Sequence, residues 1–135
     1  MKVPILDLSQ QYKTIKKDMN AALAKTMRRG DFILGKEEKV FEGEFAKFCN
    51  RKFAVGVNSG TDALFLALLS LGVGSGDELI LPAFTYIASA FAVSFTGAKP
   101  VVVAINENTY NINAEKIEQA ITKNTKAIIP VHLYG

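Results

Sequence analysis

From residue 52 onward the sequence repeats one unit: a short apolar run, a small polar turn, a helix-length segment and a Gly or polar exit. "KFAVGV" (52–57) precedes a helical segment at 61–71, and "ELILP" (78–82) precedes one at 86–95. "KPVVVAI" (99–105) and the loop "NENTYNIN" lead to a helix over 114–121, and "KAIIPV" (126–131) closes the series. Strands separated by single helices need crossover connections, which are right-handed and generate a parallel sheet. Near-continuous apolar runs fit strands buried on both faces. The expectation is an α/β fold with four parallel strands. Parallel strands also bring their carboxyl ends to one edge, so residues 58–61, 83–86, 106–110 and 132–135 are expected to share the rim where open α/β sheets bind ligands.

The first fifty residues follow a different period. Tyr12, Ile15, Met19, Leu23 and Met27 recur every three or four positions, which predicts a helix over 10–28. After the interruption "RGDFILGK", Val40, Phe41, Phe45 and Phe48 form the apolar stripe of a second helix over 36–49, with Lys and Glu solvating its other face. Both helices are expected to face a core. The chain thus divides into an N-terminal helical segment, 1–50, and an α/β domain, 51–135.

Composition narrows the classes of function. Sixteen Lys and Arg against thirteen Asp and Glu leave a net charge of +3, scattered along helices rather than massed in a patch, so nucleic acid is not an expected partner. Cys49 is the only cysteine, which excludes an internal disulfide and favours a cytoplasmic setting. There is no signal-type apolar region and no run long enough to cross a bilayer, so a membrane is not expected either.

The turn "NSGTD" offers two readings. Ser59 and Asp62 stand three apart ahead of an apolar helix, the spacing of a capping box. The same turn would suit an anion: Gly60 presents no side chain, the amides of Gly60, Thr61 and Asp62 lack intrahelical partners, and the Thr61 hydroxyl adds a donor. Tyr86 follows "LPAFT" on the neighbouring rim loop, with Thr85 available to cap the next helix. A planar ring carrying a phosphate would suit both loops. "GVGSG" (72–76) follows a helix and precedes a strand, the reverse of a dinucleotide fingerprint, and reads as a helix stop and turn. His132, the sole histidine, has no companions at metal-ligand spacing, and Ser59 lacks the G-x-S-x-G context of a nucleophile elbow.

Taken together, "GDFILGKEEKVFEGEFAKFC", "VGVNSGTDALFLALLSLGVGSGDELILPAFTYIASA", "GAKPVVV" and "TKAIIPVHLYG" resemble the N-terminal part of the DegT/DnrJ/EryC1/StrS family of sugar aminotransferases dependent on pyridoxal 5'-phosphate (PLP). The resemblance implies the large domain of the aspartate-aminotransferase fold (fold type I), a homodimer, and amino transfer from a donor such as glutamate to a nucleotide-linked keto sugar in polysaccharide biosynthesis. It places the cofactor-phosphate turn on Gly60, Thr61 and Asp62 and the cofactor-stacking aromatic on Tyr86. Ala104 and Asn106 stand where the family often has acidic residues.

The resemblance also implies a Schiff-base lysine and an acidic partner for the pyridine nitrogen, both beyond Gly135. None of the thirteen lysines sits at a matching position, so no catalytic residue is expected within the chain, and the chain alone is expected not to transaminate. Two alternatives stand beside this reading. One is a sugar dehydratase of the same family; the other is a non-catalytic domain that serves as an interaction or regulatory module.

Overall fold

Asp31 organises the start of the molecule. The computed structural model describes residues 4–134, so the rim position Gly135 and the first three residues of the N-terminal patch lie outside the described residues. Contacts divide the chain between Gly56 and Val57 into two compact units.

In the first unit, α1 (Ser9–Arg29) ends at Gly30, whose φ of 72° is the left-handed conformation glycine tolerates and whose N–H donates to the Thr26 carbonyl. Asp31 then accepts from Arg29 Nε through one carboxylate oxygen (3.0 Å) and from the Lys36 amide through the other (3.1 Å), which fixes the entry to α2 (Lys36–Phe48). Arg29 Nη2 reaches Glu37 Oε1 at 2.9 Å. The Lys36 amide and Arg29 hold the Asp31 carboxyl below the usual carboxylate range. Both helices occur where periodicity predicts them, but their stripes do not face a core. Tyr12, Ile15, Met19, Leu23 and Met27 remain 41–67% exposed, and α2 buries only Ala46. An apolar stripe is buried only where another element supplies a facing surface, and the described residues of this unit supply none.

The second unit contains α3 (Gly60–Ser70), β1 (Glu78–Pro82), α4 (Ala88–Phe95), β2 (Lys99–Val103), α5 (Ala114–Ala120) and β3 (Thr125–Ile128). The sheet is parallel, in the order β2-β1-β3, with Ile80 opposite Val101 on one side and Ile128 on the other. Central β1 is buried from Leu79 to Pro82, as its unbroken apolar run requires. Leu79 packs with Leu68, Val73, Ala92, Val93 and Ala98, and the rings of Phe65 and Phe95 meet edge to face at 6.2 Å. The crossovers through α4 and α5 run in opposite directions across the sheet, so right-handed connections place these helices on opposite faces.

Among the described residues three strands form rather than four. Residues 52–57 make no ladder; instead, the Gly56 amide donates to Glu42 Oε1 at 2.7 Å, and Phe53 and Val55 stay exposed. A strand exists through its neighbour, and none of the described strands pairs with this segment. The "GVGSG" turn is a helix stop as read: the Val73 amide donates to the Leu68 carbonyl, Gly72 and Gly76 have φ of 69° and 93°, and Asp77 Oδ2 accepts from the Gly74 amide.

Candidate cofactor site

The two loops singled out by sequence sit at the starts of adjacent helices. The exit turns of α3 and α4 touch each other, since a Cβ on Gly97 would lie 3.5 Å from the Ser75 amide. Both turns feed strands at the amino edge of the sheet, so the starts of α3 and α4 lie toward the carboxyl edge. The lysine at the β2 entry belongs to the opposite edge: Lys99 Nζ pairs with Glu78 Oε1 at 2.9 Å at the strand entries.

Ser59 caps α3. Its Oγ accepts from the Asp62 amide (3.1 Å) and donates to Asp62 Oδ2 (2.9 Å), while Asn58 Nδ2 donates to the same oxygen (3.2 Å). The Ser59 half of the capping box is made; for the other half, the Ser59 hydroxyl and the Asn58 side-chain amide donate to the Asp62 carboxylate in place of the Ser59 backbone N–H. This arrangement redistributes the expected donors. The Asp62 amide is engaged by Ser59, whereas the amides of Gly60 and Thr61 meet no acceptor among the described residues. The Asp62 carboxylate is held back by Asn58 and Ser59, and the position of a Cβ on Gly60 has nothing within 4 Å. Two free amides on an eleven-residue helix, with the nearest carboxylate tied down, are a donor set that fits a phosphate. Sequence reasoning passed over Asn58 as a partner of Asp62, although an Asn four residues before a carboxylate at a helix start is a legible signal.

Tyr86 stands two residues before α4 and is 77% exposed. Thr85 does not cap that helix. Its Oγ1 lies 2.9 Å from the Oγ of buried Ser89, and the N-cap position, Ile87, has no side-chain cap. The hydroxyl finds a second hydroxyl on the first turn, which satisfies Ser89 in place of an amide.

Three rim loops are joined by aromatic rings that sequence reasoning did not connect. Phe84, after β1, lies 5.8 Å from Tyr110, after β2, and Tyr110 meets Tyr134, after β3, edge to face at 5.7 Å. Tyr110 has φ of 58°, a left-handed conformation that costs a bulky residue on the order of 1 kcal/mol or more. Its loop imposes that geometry. Asn106 Oδ1 accepts the Asn108 and Thr109 amides, the Asn106 carbonyl accepts the Tyr110 amide at 2.8 Å, and an Ile105–Ile112 bridge closes the base. The Asn106 turn was legible in "NENTY"; the contacts between loops were not. His132, on the third loop, is exposed.

A parallel α/β unit with this rim is the corresponding part of an aminotransferase of the aspartate-aminotransferase type, fold type I. The chain belongs to the DegT/DnrJ/EryC1/StrS aminotransferase family, which it matches over residues 13–135. It is 50% identical over 134 residues to a dTDP-3-amino-3,4,6-trideoxy-alpha-D-glucose transaminase of Streptomyces venezuelae, an alignment covering 99% of this chain and 35% of that protein. The crystal structure of S. venezuelae DesV in complex with a ketimine intermediate superposes with a TM-score of 0.93 at 50% identity, over 99% of this chain and 36% of that one. NtdA from Bacillus subtilis, crystallised with bound cofactor PMP, gives 0.92 at 38% identity, over 99% and 31%. The chain thus spans about a third of the length of the curated relatives it matches. No helix of the described residues is long and apolar enough to cross a membrane.

Proposed function

We propose that the chain is the N-terminal part of a PLP-dependent aminotransferase that moves an amino group from an amino acid such as glutamate to a keto group of a nucleotide-linked sugar. Residues 51–135 begin the cofactor-binding domain, and residues 1–50 are a helical segment ahead of it. The reading is carried by one observation: the α3 start offers the Gly60 and Thr61 amides, while Asn58 and Ser59 hold the Asp62 carboxylate.

Each residue acts through binding and orientation. The Gly60 and Thr61 amides and the Thr61 hydroxyl hold the cofactor phosphate at the positive end of the α3 dipole. Asp62 keeps the turn in shape through Asn58 and Ser59. Tyr86 lays its ring against the cofactor ring, limits its tilt and shields it from water. When bound, PLP supplies an electron sink for charge developing on the substrate carbon. The Schiff-base lysine and the acidic partner of the pyridine nitrogen belong to the part of the enzyme outside these residues, so the chain alone is inactive. The complete enzyme works as a cytoplasmic homodimer.

In the full-length enzyme, Tyr86→Ala is expected to weaken PLP retention by roughly tenfold, the worth of one good aromatic stack. The measurement is a PLP titration followed by visible absorbance. Unchanged affinity and activity would remove the stacking assignment.

A further inference from the structure

We propose that Tyr110 is a positioning residue that orders the rim loop carrying Tyr86; its value for the cofactor rests on the PLP reading above. Four observations converge on it. Tyr110 holds a left-handed backbone conformation that side chains avoid, at φ 58°. Its own loop enforces that conformation, through the Asn106 side chain, the Asn106 carbonyl and the Ile105–Ile112 bridge. The resulting ring position grips Phe84 on one side and Tyr134 on the other, one residue from each of the other two rim loops. Phe84 is two residues from Tyr86, in a segment whose only regular support is the Ala83 amide donating to the Val103 carbonyl before the α4 turn begins.

A residue needed only for packing could lie in an ordinary conformation on any of these loops. Strain that persists because its surroundings over-determine it is characteristic of places where a group must be held in one position. The Tyr86 carbonyl accepts the Ser89 amide and the Ile87 carbonyl accepts the Ala90 and Phe91 amides, so Phe84 and Thr85 are the part of the loop left to side-chain contacts. Thr85 turns to Ser89 rather than capping α4, and Tyr86 itself is largely exposed. Tyr110 therefore acts through Phe84: its ring restricts the loop, and the loop sets where the Tyr86 ring stands.

The test uses backbone amide relaxation on the deuterated full-length enzyme, with a PLP titration read by induced visible circular dichroism. In the unsubstituted chain the amides of Phe84, Thr85 and Tyr86 should show order parameters near about 0.85, and in Tyr110→Ala they should fall below about 0.6, while Leu79–Leu81 stay unchanged. Tyr110→Phe, which keeps the ring, should restore them, a recovery that a general loss of stability would not give. If Tyr110→Ala loses its far-ultraviolet signal, Phe84→Leu provides the same comparison, removing from a half-exposed site the ring through which Tyr110 holds the loop. Unchanged order in residues 84–86 of either folded variant overturns the proposal, whether or not PLP binds. A mobilised loop that binds PLP as well as the unsubstituted chain also overturns the positioning role. Absence of PLP binding by the unsubstituted full-length enzyme counts against the cofactor reading, and loop relaxation alone then decides the role of Tyr110.

Discussion

Gly35 shows how one residue can decide a connection. A Cβ there would overlap the Asp31 carbonyl oxygen, a backbone atom that cannot step aside without disturbing the Asp31 cap. Gly35→Ala is therefore expected to destabilise the chain by about 2 kcal/mol or more, the scale of overpacking against a rigid neighbour. Gly43 is the internal control. It lies inside α2 with nothing within 4 Å of a Cβ, so Gly43→Ala should stabilise by about 0.5–1 kcal/mol by removing backbone entropy from the unfolded chain. Urea unfolding of the two variants checks both signs. Gly35 was visible in the sequence only as a turn residue, because its constraint comes from a carbonyl four residues away whose position depends on the Arg29–Asp31 pair. Ser59 and Asp62 were legible outright, since a capping box is a local contact at fixed spacing.

Among elements, the parallel sheet is tied together at its amino edge by Glu78. Thr122 Oγ1 donates to Glu78 Oε2 (2.6 Å) and Lys99 Nζ to Oε1 (2.9 Å), so this one side chain joins the entries of β1 and β2 to the loop before β3. The Thr122 hydroxyl first, and Lys99 second, hold the Glu78 carboxyl below its ordinary value. A carboxyl depressed in the folded state contributes stability that is present above its unfolded pKa and lost as pH falls through the folded one. Acid unfolding should therefore separate the chain from Glu78→Gln at neutral pH, and the difference should close as pH falls below about 4, the ordinary glutamate range. A constant gap down to strongly acidic pH would show that Glu78 acts through packing alone. The strands themselves were legible from their apolar runs. The failure at residues 52–57 has the same origin as the successes, because strand sequence states a capacity to pair and pairing needs a second strand.

For the whole molecule, the decisive feature is apolar surface left in solvent. The α1 stripe and Phe41, Phe45 and Phe48 are exposed, and among the described strands β3 has a neighbour on one side only. Surface of this kind drives association. The isolated chain is expected to self-associate, with a sedimentation coefficient that rises with concentration. A single monomeric species across the accessible range would show that these faces are tolerated in water. Periodicity correctly placed both N-terminal helices, yet it could not say whether their stripes would find a partner within these residues.

The sequence by itself determined what depends on neighbours along the chain. That includes the helix periods, the Ser59 cap, the glycine stop after α3, the order of strand and helix and hence a parallel α/β sheet, together with the blocks that mark the family. These follow from spacing, and spacing is written in the chain. Only the tertiary structure decided that residues 52–57 would remain unpaired. It also decided that Thr85 would turn to Ser89, and that Phe84, Tyr110 and Tyr134 would join three loops through one strained residue. The aromatic contacts depend on which groups meet after the strands have aligned, and the links from Tyr110 to Phe84 and Tyr134, about 25 residues away in each direction, carry no local period to betray them.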